Sequence, residues 1–588
     1  MTQNQCNLKI IVRNGLIILL SIISLIACIV VLFFPQASME LIGQVLHRKI
    51  TYIGAFKLLQ SLAMGGICCI LFFCFCTLTG SGRLLVRQVK RDIEDCLAAI
   101  DFRSLLKPVL LLSGVYLLGI LTIIRANALY KDDIWRSMNG DRGWYDWSRW
   151  VAELMSIFIH ADTNLTDISP LPQLLAVLML SISSVFLVYI MGNGKITTVR
   201  LLASIPLGLS PFFLECLSFK FDAPYMALSV LASIIPFLFI ARNRAFLFCS
   251  VISLLVMCMS YQAASGIYLL VVIIVCFQDW NSRRKTNKEI LVFGGMALIA
   301  FCFALIFFRL FLMKPQIPDN NPNAYASTGI HPLPDMLSGI LINIKNYITT
   351  INQDLGVVWK IGILFVFIAF VIKSIQISSQ KKIQAFLVSM LVISLSFILS
   401  YGGYILLTDP TYIPRSLYGF GIFLAILCIN VVSDYKKAVA AAVLALNWCF
   451  LIFAFSYGNA LADHTRYANF RIGLLLHDLS ALYPNQNEEN IQIQLDNPIE
   501  FAPSIKNIAK HYPIIEKLIP TLFGTGWEYR VYMLHFNIDQ NITFNVTNYN
   551  LPNYIFVDFK HMELPVVLDS YYHTIQSDGN YVLIILKH

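Results

Sequence analysis

Run after run of about 20 apolar residues, the length a helix needs to cross a bilayer, constrains this chain more than any other feature. Inside hydrocarbon no water satisfies the backbone, so each run must close its own hydrogen bonds as a helix. About thirteen such spans are read, over roughly 14–34, 55–78, 107–126, 171–191, 199–213, 224–241, 245–260, 263–277, 290–313, 356–374, 384–407, 415–432 and 438–457. Only 13% of the 588 residues are charged, against about 25% in a soluble domain. The expected class is an all-α polytopic membrane protein carrying a C-terminal α/β domain. The first run, Gly15 to Phe34, is of spanning length with no small-residue cleavage pattern after it, so a cleavable signal peptide is not expected.

The formal charge of +9 speaks to orientation rather than to nucleic acid. With the N-terminus inside, every inner loop is basic: Arg83, Arg87, Lys90 and Arg91; Lys195 and Arg200; Arg242 and Arg244; Arg283, Arg284 and Lys285; Lys381 and Lys382; Lys436 and Lys437. The outer face then receives the 127–170 loop, the 214–223 connection, the 314–355 loop and everything beyond Tyr457. Three regions follow: residues 1–106, with two spans and a basic loop; 107–457, the core; and 458–588, an exported α/β domain. Strands are expected at Ile491–Leu495, Tyr529–Phe536, Tyr554–Phe559 and Tyr581–Lys587, with helices around 463–482 and 503–518. Nearly all of the fourteen cysteines sit inside apolar runs, and no pair of CxxC motifs has zinc spacing. No metal or cofactor is expected.

Chemistry concentrates on the outer loops. Asp132 and Asp133 follow a span directly, where burial and like-charge crowding raise a carboxyl pKa and suit a general base. The alternative is a solvated acidic turn, or pairing with Lys131 and Arg136. Trp144, Trp147 and Trp150 recur at helical spacing beside Arg142 and Arg149, which predicts a helix lying in the membrane interface. Arginines there suit a lipid phosphate. Glu215, Lys220 and Asp222 lie close to two spans, where an ionisable group is a site candidate by default, although Lys220–Asp222 or Glu215–Lys220 pairing explains them too. Tyr261 and Gln262 are polar at a span end. Arg415 opens a span on the outer face, against the charge rule, with Asp409 as its expected structural partner. No GxGxxG or phosphate-cradling glycine loop is present, and an exported site has no nucleotide supply. A lipid-linked phosphate donor meets that constraint.

At Asp132-Asp133-Ile with Arg136 and Gly140, Trp147 and Arg149, Pro211-Phe-Phe…Phe219-Lys-Phe-Asp222 with Met226, Ser260-Tyr261-Gln262-Ala and Arg415-Ser-Leu-Tyr418-Gly419, the sequence resembles the bacterial and phage O-antigen glucosyltransferases of the serotype-converting Gtr type. The resemblance covers about residues 105–460, and Ser148 stands where glycine is expected. It implies a GT-C-like fold, a polyprenyl-phosphate-glucose donor and an O-antigen glycan acceptor. It also implies inverting transfer on the periplasmic face of the bacterial inner membrane. By position, Asp132 or Asp133 would deprotonate the acceptor, Arg136, Arg149, Lys220 and Arg415 would hold the phosphate, and Asp222, Glu215, Tyr261 and Gln262 would contact sugar. Competing expectations are another GT-C transferase, moving mannose, aminoarabinose or galactose, and a lipid-glycan flippase or polymerase. The near charge-free span interiors favour surface chemistry over flipping.

Overall fold

The computed structural model describes residues 20–34, 55–313, 329–432, 437–483, 491–521 and 557–587, with Ile18, Ser38, His535 and Thr543–Phe544 besides. Among these, all thirteen apolar runs are helical, but unequally. Eight helices are long and apolar enough to cross a membrane, from Phe102–Ala126 to Lys437–Leu482, and up to ten when two bent pairs each count as one. The bent pairs are Leu62–Leu78 with Gly80–Ala98, turned by 91°, and Thr198–Leu209 with Pro211–Ser218, turned by 62°. Pro206 and Pro211 each open a new short helix, which is why the 199–213 run breaks. Three further runs form shorter apolar helices, Leu20–Phe33, Ala223–Phe239 and Gly419–Val431. Gly419–Val431 is buried on nearly every residue. A helix apolar all round belongs inside the bundle, and this one is its central element.

Phe102–Ala126 shows how sequence sets this packing. Asp101 caps its N-terminus by accepting from the N–H groups of Arg103 and Ser104, and Asn127 ends it in the left-handed conformation. Its buried stripe, Leu105, Leu112, Tyr116, Ile120 and Ile123, recurs every three to seven residues on one face. At Gly458 of Lys437–Leu482 a Cβ would stand 2.6 Å from the Ile123 backbone nitrogen. Only glycine lets the two backbones cross this closely, the small-residue packing that membrane helices favour.

Lys437–Leu482 corrects the expected break after residue 457. It is one helix of 46 residues, about 70 Å long, because no proline interrupts the polar stretch beyond Tyr457. Its far end carries Ala468, Ile472, Leu475 and Leu479, which pack on Ile491, Ile493, Leu495, Ile575, Val582, Ile584 and Leu586 of a small sheet. Among the described residues the sheet has five strands in the order β2-β1-β5-β4-β3, with β1 Gln492–Asp496, β2 Thr543–Phe544, β3 Val566–Asp569, β4 His573–Ser577 and β5 Tyr581–Leu586. β1 is parallel to β2 and β5, whereas β4 is antiparallel to β3 and β5. Arg471 fastens the sheet to the helix by donating to the carbonyls of Tyr572 and Lys587, each at 2.8 Å.

Of the expected strands, the first and last form. Tyr529–Phe536 lies outside the described residues except for His535, and so do 554–556 of the third. Its remainder is not strand, since Phe559–His561 is a 3₁₀ turn capped by Asp558. The predicted 503–518 helix is two shorter ones, Pro503–Ala509 and Ile515–Leu518, because Pro513 stands between them. Ile505, Ile514, Ile515 and Leu518 are buried in the same core as the spans, so this segment sits against the bundle.

Candidate active site

The 127–170 loop folds over one end of the bundle, and its details depart from a single interfacial helix. Asp133–Asn139 and Trp150–His160 are helical, and Trp144–Trp147 is one 3₁₀ turn between them. Gly143 and Ser148 flank that turn in the left-handed conformation, with φ of 65° and 59°. Such a backbone favours glycine, which accounts for glycine being the expected residue at 148. Trp144 is fully buried rather than facing lipid. Its ring lies 4.1 Å from the Arg136 guanidinium, edge-on to Tyr225, and its indole N–H donates to Asp222 at 2.5 Å.

The two adjacent aspartates differ in what they do. Asp133 is fully buried, and its Oδ2 accepts from the backbone N–H groups of Tyr130 at 3.1 Å and Lys220 at 2.9 Å. It thereby pins the 127–133 turn to the 219–222 connection. Burial pushes its carboxyl well above the ordinary range, and Asp222 pushes the same way, against the two N–H donors and Arg136. Asp132, half-buried one position earlier, makes no side-chain hydrogen bond or ion pair among the described residues.

Three charged clusters surround this turn. Arg136 faces Asp222 at 3.3 Å and donates to the carbonyls of Asp141 and Arg142. Lys220, 4% exposed, spans Asn127 at 2.7 Å and Asp167 at 2.8 Å. Fully buried Glu215 takes Lys131 Nζ at 2.6 Å and the Arg415 backbone N–H at 2.6 Å, with the Arg415 guanidinium 3.8 Å away. The expected pairings of Lys131 with the aspartates and of Lys220 with Asp222 or Glu215 are therefore replaced by partners from other elements. Arg415 finds Glu215, 200 positions earlier, in addition to any local acid.

Arg149 contrasts with these. It lies 4.5 Å over the Tyr261 ring and 5.9 Å from Trp147, and its buried Nε has no partner among the described residues. Gln262 donates to the Trp147 carbonyl at 3.2 Å, and Tyr261 stacks on Tyr418. Arg149 thus lies over Tyr261, while the Arg415 guanidinium lies 5.0 Å from the Phe219 ring.

The structure thus gathers all ten candidates at one end of the bundle, and adds Tyr130, Lys131, Asn127, Asp167 and Trp144. Tyr130 is the link to the tail: its hydroxyl donates to the Leu518 carbonyl at 2.7 Å and stands 3.3 Å from Glu215. Asn127, Tyr130 and Asp167 all sit within the flagged 127–170 loop, but no spacing reveals that Asp167 reaches Lys220, 53 positions away.

The family model described as glucosyl transferase GtrII matches residues 121–431, just over half of the chain and the part that holds every candidate. A Salmonella phage P22 protein, named only as an uncharacterized 55.3 kDa protein in the gtrB 5′ region, is 24% identical over 443 residues, covering 72% of this chain and 89% of that protein. No solved structure matches the chain. The apolar helices, the acidic turn with its cations and the family match lead to one conclusion: the chain is a membrane glycosyltransferase and belongs to the GtrII glucosyl transferase family.

Proposed function

We propose that the protein moves glucose from a polyprenyl-phosphate-linked donor to a sugar hydroxyl of O-antigen, on the periplasmic face of a bacterial inner membrane. The observation that carries this is the pairing of an uncommitted carboxylate, Asp132, with an uncommitted guanidinium, Arg149, at one end of a bundle whose other charges are largely engaged with one another. Inverting transfer needs those two functions. A base takes the acceptor proton as its oxygen attacks the anomeric carbon, and a cation receives the charge developing on the departing lipid phosphate. Asp132 is assigned the first role because it is half-exposed, whereas Asp133 is fully buried, its Oδ2 held by two backbone N–H groups and its Oδ1 enclosed without a partner.

Arg149, 4.5 Å over the Tyr261 ring, is assigned the phosphate, and Arg415 at the same end of the bundle is assigned to assist it. Arg136–Asp222 and Lys131–Glu215 then set the shape of the site, and Lys220 with Asp167 closes its edge. Asp222, Glu215 and Gln262 shape the sugar pocket rather than being fully available to it. The outward direction rests on the basic loops at the opposite end.

The test is made in cells whose O-antigen lacks glucose but which make the lipid-linked donor. Expression of the wild-type chain should add glucose to purified lipopolysaccharide, and the Asp132→Asn variant, present at equal level in the membrane, should add none. Unglucosylated product from the wild type, or glucose addition by the variant, contradicts the assignment.

A further inference from the structure

At the opposite ends of the same helices lies a second polar space. The C-terminal ends of Leu171–Met191, Ser265–Asn281, Val357–Ile377 and Gly419–Val431 enclose a cavity of about 160 Å³. A 21-residue helix separates it from the Asp132 end, a distance of about 30 Å. It therefore takes no part in the chemistry proposed above.

Its lining holds three cations, Arg200, Arg284 and Lys373, and no carboxylate among the described residues. The nearest acid on its elements, Asp279, is paired with Lys285 at 2.9 Å. Helix C-termini attract cations, and Lys373 answers that demand by donating to the carbonyls of Asn430, Val431 and Val432. The arginines exceed it. Arg284 gives one of its five side-chain N–H groups to Asn193 at 2.6 Å, and the Arg200 guanidinium has no hydrogen-bond or ion-pair acceptor among the described residues, its backbone N–H alone donating to Thr197. One acceptor is orphaned as well: Asn281 is 2% exposed, and its Oδ1 has no partner. Its orientation is fixed, since Nδ2 donates to the Ser374 carbonyl at 2.9 Å. Phe277, Phe370 and Ile377 supply an apolar wall.

We infer that this cavity binds the headgroup of a membrane glycerophospholipid, its phosphodiester on Arg200 and Arg284 and a headgroup hydroxyl or ammonium donating to Asn281. Basic pockets between spans take lipid phosphates in this way. The donor requirement selects phosphatidylglycerol or phosphatidylethanolamine over phosphatidylcholine, whose headgroup carries no N–H or O–H.

The full chain, purified in mild detergent, is unfolded thermally with added phosphatidylglycerol, phosphatidylethanolamine, phosphatidylcholine or inorganic phosphate. Binding to the folded state raises the midpoint. Phosphatidylglycerol and phosphatidylethanolamine should raise it by several degrees, while phosphatidylcholine and phosphate should not. In Arg200→Gln/Arg284→Gln the rise should vanish, and in Arg83→Gln/Arg87→Gln, which removes two basic residues from another helix, it should remain. Should the double variant fail to fold, Arg284→Glu at an exposed position must abolish the rise alone. Equal shifts from all three lipids, an equal shift from phosphate, or a wild-type shift in the cavity variants overturns the inference.

Discussion

The two aspartates give the sharpest separation of roles. Replacing Asp132 by asparagine removes a proton acceptor that holds no other group, so the fold should be unaffected. The rate should fall by about 10²–10⁴, the usual contribution of a positioned base, or roughly 2.7–5.5 kcal/mol of barrier. Asp133 behaves oppositely. Asp133→Ala orphans the buried N–H groups of Tyr130 and Lys220, each costing about 1–3 kcal/mol, so roughly 2–6 kcal/mol of stability should be lost. Asp133→Asn keeps a carbonyl oxygen for both N–H groups, and its turnover should stay within several-fold of wild type. The assay is glucosyl transfer by purified variants at saturating donor and acceptor, beside thermal unfolding of each. If Asp133→Asn loses 10²-fold or more with an unchanged unfolding midpoint while Asp132→Asn turns over normally, the roles are reversed and the reasoning from occupied oxygens fails.

Other outcomes follow from the same geometry. Arg149→Lys keeps the charge but not the fork over Tyr261, so donor affinity should drop by about 1–3 kcal/mol with folding intact, read as a raised donor KM. Arg415→Lys should lose less, because its backbone N–H bond to Glu215 survives. Glu215→Gln leaves the Lys131 ammonium facing a neutral amide and should destabilise by about 3 kcal/mol, part of which Lys131→Met restores in the double variant, as denaturant midpoints will report. Burial raises the folded pKa of Asp133 above 3.8, so the folded state binds that proton more tightly than the unfolded chain. Its stabilising effect is complete below about pH 4 and is lost as pH rises through the folded pKa. The stability of Asp133→Asn relative to wild type should therefore grow with pH across that window, and a flat difference refutes the shift.

The spans were legible because hydrocarbon imposes a rule on every residue of a segment, and composition alone reveals it. Their lengths were less so: Gly419–Val431 is as apolar as its neighbours, yet its place at the bundle centre depends on what surrounds it. The candidates were legible as charges in costly positions, such as Arg415 against the orientation rule. Their partners were not. Arg136 with Asp222 and Glu215 with Arg415 join elements far apart in sequence, and only packing decides such pairs. Trp144 read as an interfacial residue because its spacing to Trp147 and Trp150 is helical, whereas the left-handed residues at 143 and 148 break the helix and turn the ring inward. The short strand β3 escaped because it is largely exposed and lacks the alternation that marks a half-buried strand; β4 alternates in burial, but two of its three inward residues, His573 and Ser577, are polar.

The central claim is that glucose leaves a lipid phosphate at this site and that Asp132 drives the acceptor onto it. Purified wild-type protein, given polyprenyl-phosphate-glucose and O-antigen, is assayed for free polyprenyl phosphate and glucosylated acceptor together. The account predicts that the two appear in equal amounts, that Asp132→Asn forms neither, and that UDP-glucose does not substitute for the lipid donor. Transfer from UDP-glucose, or lipid phosphate release undiminished in Asp132→Asn, would contradict it.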